Sequence, residues 1–570
     1  MHTISRYSWI VFLALTTASC SKTDPVETVR FADRVFRNAH VYTVDAKRSW
    51  AQAVAVSDGR IVFVGDNESA DDFVGPDTEI TDLAGKMLLP GFHDSHIHIM
   101  IGVMAEEECD LLRLPTARDA ADKLETCTGL TGLGEDGWII GGGWGEWLWP
   151  EANPQKDLLD ALFADRPVYL ESSFGHAAWV NSRAMEIAGL DSKTQDPPAG
   201  VIERDPESGE PSGTLRDAAM LLVKNHLPPM TMEQRKDRVR AAMDLAHSVG
   251  ITAVIEPGLD GNLISPIVQL ADAGELDMRV LASLSPINWQ PGTFDDSVFE
   301  FLASREQWRR PNLDVDSVKI YMDGVIEYGT GALLEPYEDE RYGLGPRFYS
   351  QDAVNEYFRR FDDLGLQIHV HAIGDAGIRM ALDGFEALRE SNGESEKRHQ
   401  IVHLQLIHEE DRPRFGELNV AAVFQSLWSY PDPAAIELDV PMIGEERTWK
   451  MYPAASVHKA GGRIVGGSDY FVTDLNPLHA IETAVTRQDP YSNDGPVLNE
   501  NERVDIATMI DAYTIQGAYQ MGLEGEQGSI EVGKRADLVV LDRNLFEIPP
   551  SEINEARVTM TIFDGRTVYE

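Results

Sequence analysis

Between Phe31 and about Leu89 the chain alternates apolar and polar residues in short runs such as AHVYTVD and AVAVSDGRIVFVG, the period of half-buried strands, and Asp58-Gly59 supplies a hairpin turn between two of them. The same texture returns at the far end in GSIEVGKRADLVVLD and VTMTIFDGRTVYE. These patterns predict a small β domain in which residues 31–89 and 526–570 complete one β-sandwich, with everything between them inserted into it. The insertion, residues 90–525, reads differently. Amphipathic helical stretches alternate with β-rich ones, as in MEQRKDRVRAAMDLAHSVG followed by ITAVIEPG, and a β-then-α order implies parallel strands. Eight strands are predicted, near Gly91–His98, Ile251–Pro257, Met278–Ser285, Val318–Asp323, Gln367–Ala372, Gln400–Gln405, Val420–Gln425 and Arg463–Ser468. An α/β chain with eight such units predicts a TIM (β/α)8 barrel. The stretch from Ile99 to about Pro229 is too long for an ordinary connection and holds a strand-like PVYLESS. Residues from about 100 to 229 are therefore expected to form a subdomain over the barrel mouth.

The start of the chain carries an address. Met1 to Ser8 hold one Arg and no acid, Trp9 to Leu15 are apolar, and Thr16-Thr17-Ala18-Ser19 are small residues, so residues 1–19 read as a secretory signal peptide. The run resembles a bacterial lipoprotein signal, in which Cys20 becomes the acylated first residue of the mature protein and residues 20–30 a short tether. By the same resemblance Ser21, in place of Asp, implies the outer membrane, with the protein facing the periplasm. Thr17 stands where such signals carry an aliphatic residue, and soluble periplasmic or secreted export is the alternative.

Composition narrows the classes. At 570 residues, 43% apolar and 25% charged, the chain has a globular protein's balance. After the first twenty residues no run approaches the roughly 18 consecutive apolar residues of a membrane-spanning helix, so membrane contact is expected only through the N-terminal lipid. Lys plus Arg number 49 against 94 Asp plus Glu, a net charge of -45, which excludes nucleic acid as a partner. Cys109 and Cys127 either pair, as an exported compartment permits, or stay as buried thiols.

Candidate chemistry begins in LPGFHDSHIHIM, where His96 and His98 lie two apart on a predicted strand and so face the same side, an arrangement that suits a divalent metal. A strand end at the C-terminal rim of such a barrel is where its chemistry sits. Lys319 in SVKIYMDG, His371 in IHVHAIGD, His403 in IVHLQ and Asp469 in GGSDYFV lie on or at the ends of the fourth, fifth, sixth and eighth predicted strands. Trp144, Trp147 and Trp149 crowd into six residues among glycines and form either an apolar wall for substrate or the core of the subdomain.

With these positions the sequence resembles the amidohydrolase superfamily, and more closely amidohydrolase family 3, the YtcJ-like branch that includes N-substituted formamide deformylase. The segments that carry the resemblance are LPGFHDSHIH, IIGGGWGEWLWPE, RPVYLESSFGHAAWVNSRAMEIAG, GVIERDPESGEPSGTLRDAA, VKIYMDG, HAIGDAG, GGSDYFV and GSIEVGKRADLVVLD, an ordered set that runs from about residue 33 to 570. The resemblance implies a two-metal site held by His96, His98, Lys319, His371, His403 and Asp469. His369 shares a strand face with His371 and is its rival; the HAIGD match favours His371. Val402 stands where relatives commonly carry Glu.

An ammonium cannot bind a cation, so the role implied for Lys319 needs N-carboxylation, which makes an anion able to bridge two ions. The other readings of this lysine are a side chain snorkelling outward and a pair with Asp323. Zinc is the default metal, and Mn, Fe or Co also suits these ligands. Asp469 is the candidate general base, although an Asp after Gly-Gly-Ser is also a natural helix cap. The resemblance places His176 near the mouth, to polarise a substrate carbonyl or as a structural histidine. The expected activity is exported hydrolysis of a small molecule's amide-type C–N bond, other than a peptide bond, through a metal-bound hydroxide. The alternatives are an ester, carbamate or cyclic amide at the same centre, or an inactive surface-anchored binding protein. A dead barrel would be expected to have lost a ligand, and none is missing.

Overall fold

Eight parallel strands run around the centre of the protein: β1 Phe92–Asp94, β2 Ile251–Leu259, β3 Arg279–Leu284, β4 Leu313–Tyr321, β5 Gln367–Ala372, β6 Gln400–His403, β7 Ala421–Phe424 and β8 Ile464–Gly466. Each pairs with the next in sequence order. The seam between β1 and β8 is bridged by the Ser95 N–H to the Gly466 carbonyl at 3.0 Å and, beyond the strand ends, by Asp469 N–H to His96 O at 2.8 Å. This is the computed structural model of residues 31–100, 109–111, 114–127, 137–149, 153–173, 175, 177–197, 200–228, 230–285, 294–327, 329–492 and 495–570. The signal, the tether with Cys20, and His176 lie outside the described residues.

The strands are almost wholly buried runs, such as QIHVHA in β5 and RVLASL in β3, as parallel strands covered on both faces require. Helices alternate with them. Met232–Ser248, ahead of β2, is started by a capping box in which Thr231 and Gln234 each satisfy the other's backbone N–H. Asp375–Asn392 follows β5 and buries Ile378, Leu382, Phe385 and Leu388. The first strand is shorter than its apolar run predicts. It ends at Asp94, and His96 and His98 lie in the segment beyond, because the Asp94 carboxylate accepts the backbone N–H of His96 and ends the regular ladder.

The ends of the described chain meet in two further sheets. One runs in the order 60–65, 53–57, 34–37, 79–82; the other in the order 566–569, 558–563, 538–541, 87–90, 40–42, 50–51. Phe36, Val54, Val56, Leu88, Leu538, Val540 and Ile562 pack between them. This layer is fastened to the barrel by Arg279, at the start of β3. Its guanidinium donates to Asp537 at 2.9 Å and to Asp564 at 2.7 Å and lies 4.5 Å from the centre of the Phe563 ring.

Between β1 and β2 a six-stranded sheet is built from residues 109–110, 139–144, 168–172, 177–180, 211–217 and 200–204. Cys109 and Cys127 are joined by a disulfide that ties its edge strand to the helix Ala117–Thr126. Trp144 is fully buried in the core of this sheet with Leu159, Leu170 and Trp179, and its indole N–H donates to the Leu170 carbonyl at 3.0 Å. Trp144 therefore belongs to the subdomain core and not to a pocket wall, since a side chain enclosed on all sides presents no surface to a ligand. Trp149 packs partly buried on Trp179, with ring centres 4.9 Å apart, while Trp147 is exposed. Among the described residues no helix is long and apolar enough to cross a membrane.

Candidate metal centre

At the C-terminal ends of the barrel strands three side chains turn towards one point. His96 Nε2 lies 3.2 Å and His98 Nε2 3.4 Å from Asp469 Oδ1. One ligand atom from each of the three fits within 4.8 Å of the others. His96 Nε2 and Asp469 Oδ1 are buried and have no hydrogen-bond partner among the described residues. Buried polar atoms are nearly always paired, so a ring nitrogen and a carboxylate oxygen left open and facing each other fit a cation between them. Burial pushes the His96 and His98 imidazoles below their ordinary range, which favours the neutral, ligating form. Asp469 has φ +54° and His403 φ +80°, left-handed backbone that a non-glycine residue adopts at a cost; both sit at this centre.

The remaining candidates surround these three. His403 Nδ1 lies 3.6 Å from Asp469 Oδ2 and 3.0 Å from the Gln425 side-chain oxygen, and the Trp428 indole stacks on its ring, nearly parallel, at 5.6 Å. His371, 4.4 Å from His403 ring to ring, donates from Nε2 to the Gly324 carbonyl at 3.1 Å, which makes Nδ1 its lone-pair nitrogen. Lys319 is buried, its Nζ 5.1 Å from the centre of the Tyr321 ring, and burial pushes its ammonium down to about 7 against the pull of Asp469.

Asp323 has other work. Its carboxylate accepts the backbone N–H of Ala332, Ile373 and Gly374 at 2.9, 3.0 and 2.8 Å, tying the loop after β4 to the end of β5, which carries His371. Asp94 does the same across the seam, accepting from His96 and Ser468 at 3.1 Å. Glu256 on β2 accepts from Ile99 and Met100 at 3.2 and 3.3 Å, next to His98. Burial pushes Asp94 and Asp323 up to about 7, and Glu256 well above the usual carboxylate range. These three acids, with Gln425, carry no metal-ligand spacing in the sequence. Asp94 could still be found there, as an acid inside the His-x-His segment. Val402 packs on Ala421, Val423 and Val465.

His369, the rival of His371 in the sequence, turns its Nε2 to His96 Nδ1 at 2.8 Å, on the far side of that ring from Nε2.

The arrangement matches known proteins over nearly its whole length. A family model described as "Amidohydrolase family" matches residues 79–569. Protein LONG AFTER FAR-RED 3 of Arabidopsis thaliana is 31% identical over 94% of this chain and 92% of its own length. N-substituted formamide deformylase of Arthrobacter pascens is 29% identical over 94% of this chain and 98% of its own. An uncharacterized metal-dependent hydrolase from Pyrococcus furiosus superposes with a TM-score of 0.70 at 25% identity, over 90% of this chain and 99% of that one. Barrel, rim histidines and a match of this extent together make the chain a member of the amidohydrolase family.

Proposed function

We propose that this protein hydrolyses an amide-type C–N bond of a small molecule at a centre of two divalent ions, and that it does so outside the cytoplasm, anchored through Cys20. The reading is carried by one observation: the open His96 Nε2 and Asp469 Oδ1 facing each other across 3.2 Å at the barrel mouth. His96, His98, His371, His403, Asp469 and a carboxylated Lys319 would hold the ions. When bound, these supply Lewis-acid polarisation of a carbonyl and acidify water.

The rest is done by side chains. With Oδ1 of Asp469 turned to the ions, its other carboxylate oxygen takes a proton from the attacking water and returns it to the departing nitrogen. Burial raises its carboxyl, against the pull of His98, Lys319 and His371. Trp428 and Gln425 hold the His403 ring from its face and its edge. The relative that acts on N-substituted formamides by name supports an amide over an ester as the bond cleaved. Turnover of matched N-formyl, N-acyl and aryl amides, esters and carbamates by the metal-loaded protein tests this. Amide cleavage is expected; cleavage of esters or carbamates alone moves the activity to those bonds, and saturable binding without turnover makes the protein a binding protein.

A further inference from the structure

His369 is fully buried and sits in register with Lys319 on β4 and with Gln400 on β6. Its two ring nitrogens are both engaged. Nε2 lies 2.8 Å from His96 Nδ1, and Nδ1 lies 2.8 Å from the Gln400 side-chain nitrogen, while the Gln400 side-chain oxygen has no partner among the described residues. The three side chains therefore form a chain of hydrogen bonds leading from the barrel interior to His96.

Such a chain can be polarised in only two directions while His369 is neutral. In the first, Gln400 donates an N–H to His369 Nδ1, His369 donates from Nε2 to His96 Nδ1, and the proton of His96 is left on Nε2. That nitrogen then has no lone pair to give, although it is the one turned towards His98 and Asp469. In the second, His96 donates from Nδ1 to His369 Nε2, and His369 donates from Nδ1 to the carboxamide oxygen. His96 Nε2 is then bare. The ends of a carboxamide have the same outline, so the protons decide which end faces the ring. Only the second direction agrees with a cation at the open Nε2.

We infer that His369 and Gln400 are positioning residues that set the tautomer of His96, accepting its Nδ1 proton so that its Nε2 lone pair stays directed at the metal centre. This rests on the reading of His96 as a ligand. It gives His369 a role that its strand spacing alone does not reveal, since the contact spans 273 positions of sequence.

The test is zinc affinity, measured by competition with a chromophoric chelator on the full chain, independent of turnover. His369→Leu fills much of the ring's volume and removes the acceptor, and should weaken zinc binding on the order of 10–100-fold, the usual effect of losing a partner behind a ligand. His369→Gln offers a side-chain oxygen near the position of Nε2 and should restore most of that loss; Gln400→Leu, which leaves His369 in place, should give a smaller one. His96→Ala separates the two claims. If His96→Ala loses zinc while His369→Leu binds as the parent does, the relay is refuted and the ligand stands. If His369→Gln is as weak as a folded His369→Leu, the acceptor is not what matters and the relay is again refuted. If His96→Ala itself keeps the parent affinity, the reading of the centre fails first. Should His369→Leu not fold, the glutamine variant and Gln400→Leu carry the decision: parent-like zinc binding in Gln400→Leu, or a loss in His369→Gln as large as in His96→Ala, refutes the relay.

Discussion

Replacing Asp469 by Asn isolates proton transfer from architecture. The backbone bonds at this position, Asp469 N–H to His96 O at 2.8 Å and Val472 N–H to Asp469 O at 2.8 Å, do not involve the side chain and survive the change. The left-handed φ of +54° suits Asn as well as Asp. An amide oxygen can still face His96 and His98 from the position of Oδ1, so the fold and most of the metal should remain. What disappears is the negative charge and the capacity to hold a proton. A positioned general base contributes about 10²–10⁴ in rate, which corresponds to about 2.7–5.4 kcal/mol of barrier. The assay is kcat per mole of bound metal, with metal content measured on the same sample and kcat followed against pH. The parent should lose activity on the acid side as Asp469 is protonated, and the variant should lack that limb. A variant whose kcat stays within about threefold of the parent at equal metal content, with the acid limb intact, removes Asp469 from the mechanism, since a general base is worth far more than that.

Three further outcomes follow from named contacts. Lys319→Ala should lose metal and activity together, and acetate or propionate, which fits the vacated space and restores carboxylate oxygens, should rescue part of both; full metal and activity in the variant, or a bare amine in the active two-metal parent by mass analysis, would make this lysine structural. Arg279→Met leaves Asp537 buried with a backbone N–H but without its cation and should cost about 3–5 kcal/mol in urea unfolding, whereas a loss below about 1 kcal/mol would show that the joint between the terminal sheets and the barrel does not depend on it. Asp439 lies buried within reach of the Glu327 charge, and burial first and that charge second hold its carboxyl well above its unfolded range. Its folded form thus keeps a proton that the unfolded chain gives up, and stability falls as pH rises from the unfolded carboxylate range through the raised folded value. Asp439→Asn, which resembles the protonated acid, should gain on the parent with rising pH by up to about 1.4 kcal/mol per unit; a difference independent of pH contradicts this.

The barrel was legible because its strands are nearly continuous apolar runs separated by helical periods, and all eight ranges read from the sequence overlap β1 to β8. Strand ends were less legible. The sequence pattern of the first extends to His98, whereas a carboxylate four residues earlier, Asp94, ends the ladder through bonds to His96 and to Ser468, the second of them 374 positions away. The tryptophan-rich segment was ambiguous in sequence because the same residues build a pocket or a core, and only the enclosure of Trp144 separates the two. The histidines of the centre announced themselves by spacing and by resemblance. Of the groups that hold them, Asp94 lies in the same short motif, but Glu256, Asp323, Gln425 and the pair His369 and Gln400 have no such signal, since each acts through a bond to a backbone N–H or to a ring nitrogen that no local pattern encodes.

The central claim is that hydrolysis depends on divalent ions held at the barrel mouth. It is tested most directly by stripping the purified protein with a chelator, verifying metal content by elemental analysis, and measuring amide turnover before and after stepwise return of Zn, Mn or Co. The account predicts that turnover vanishes with the metal and returns in proportion to the ions rebound. Unchanged turnover in protein shown to be metal-free would contradict it.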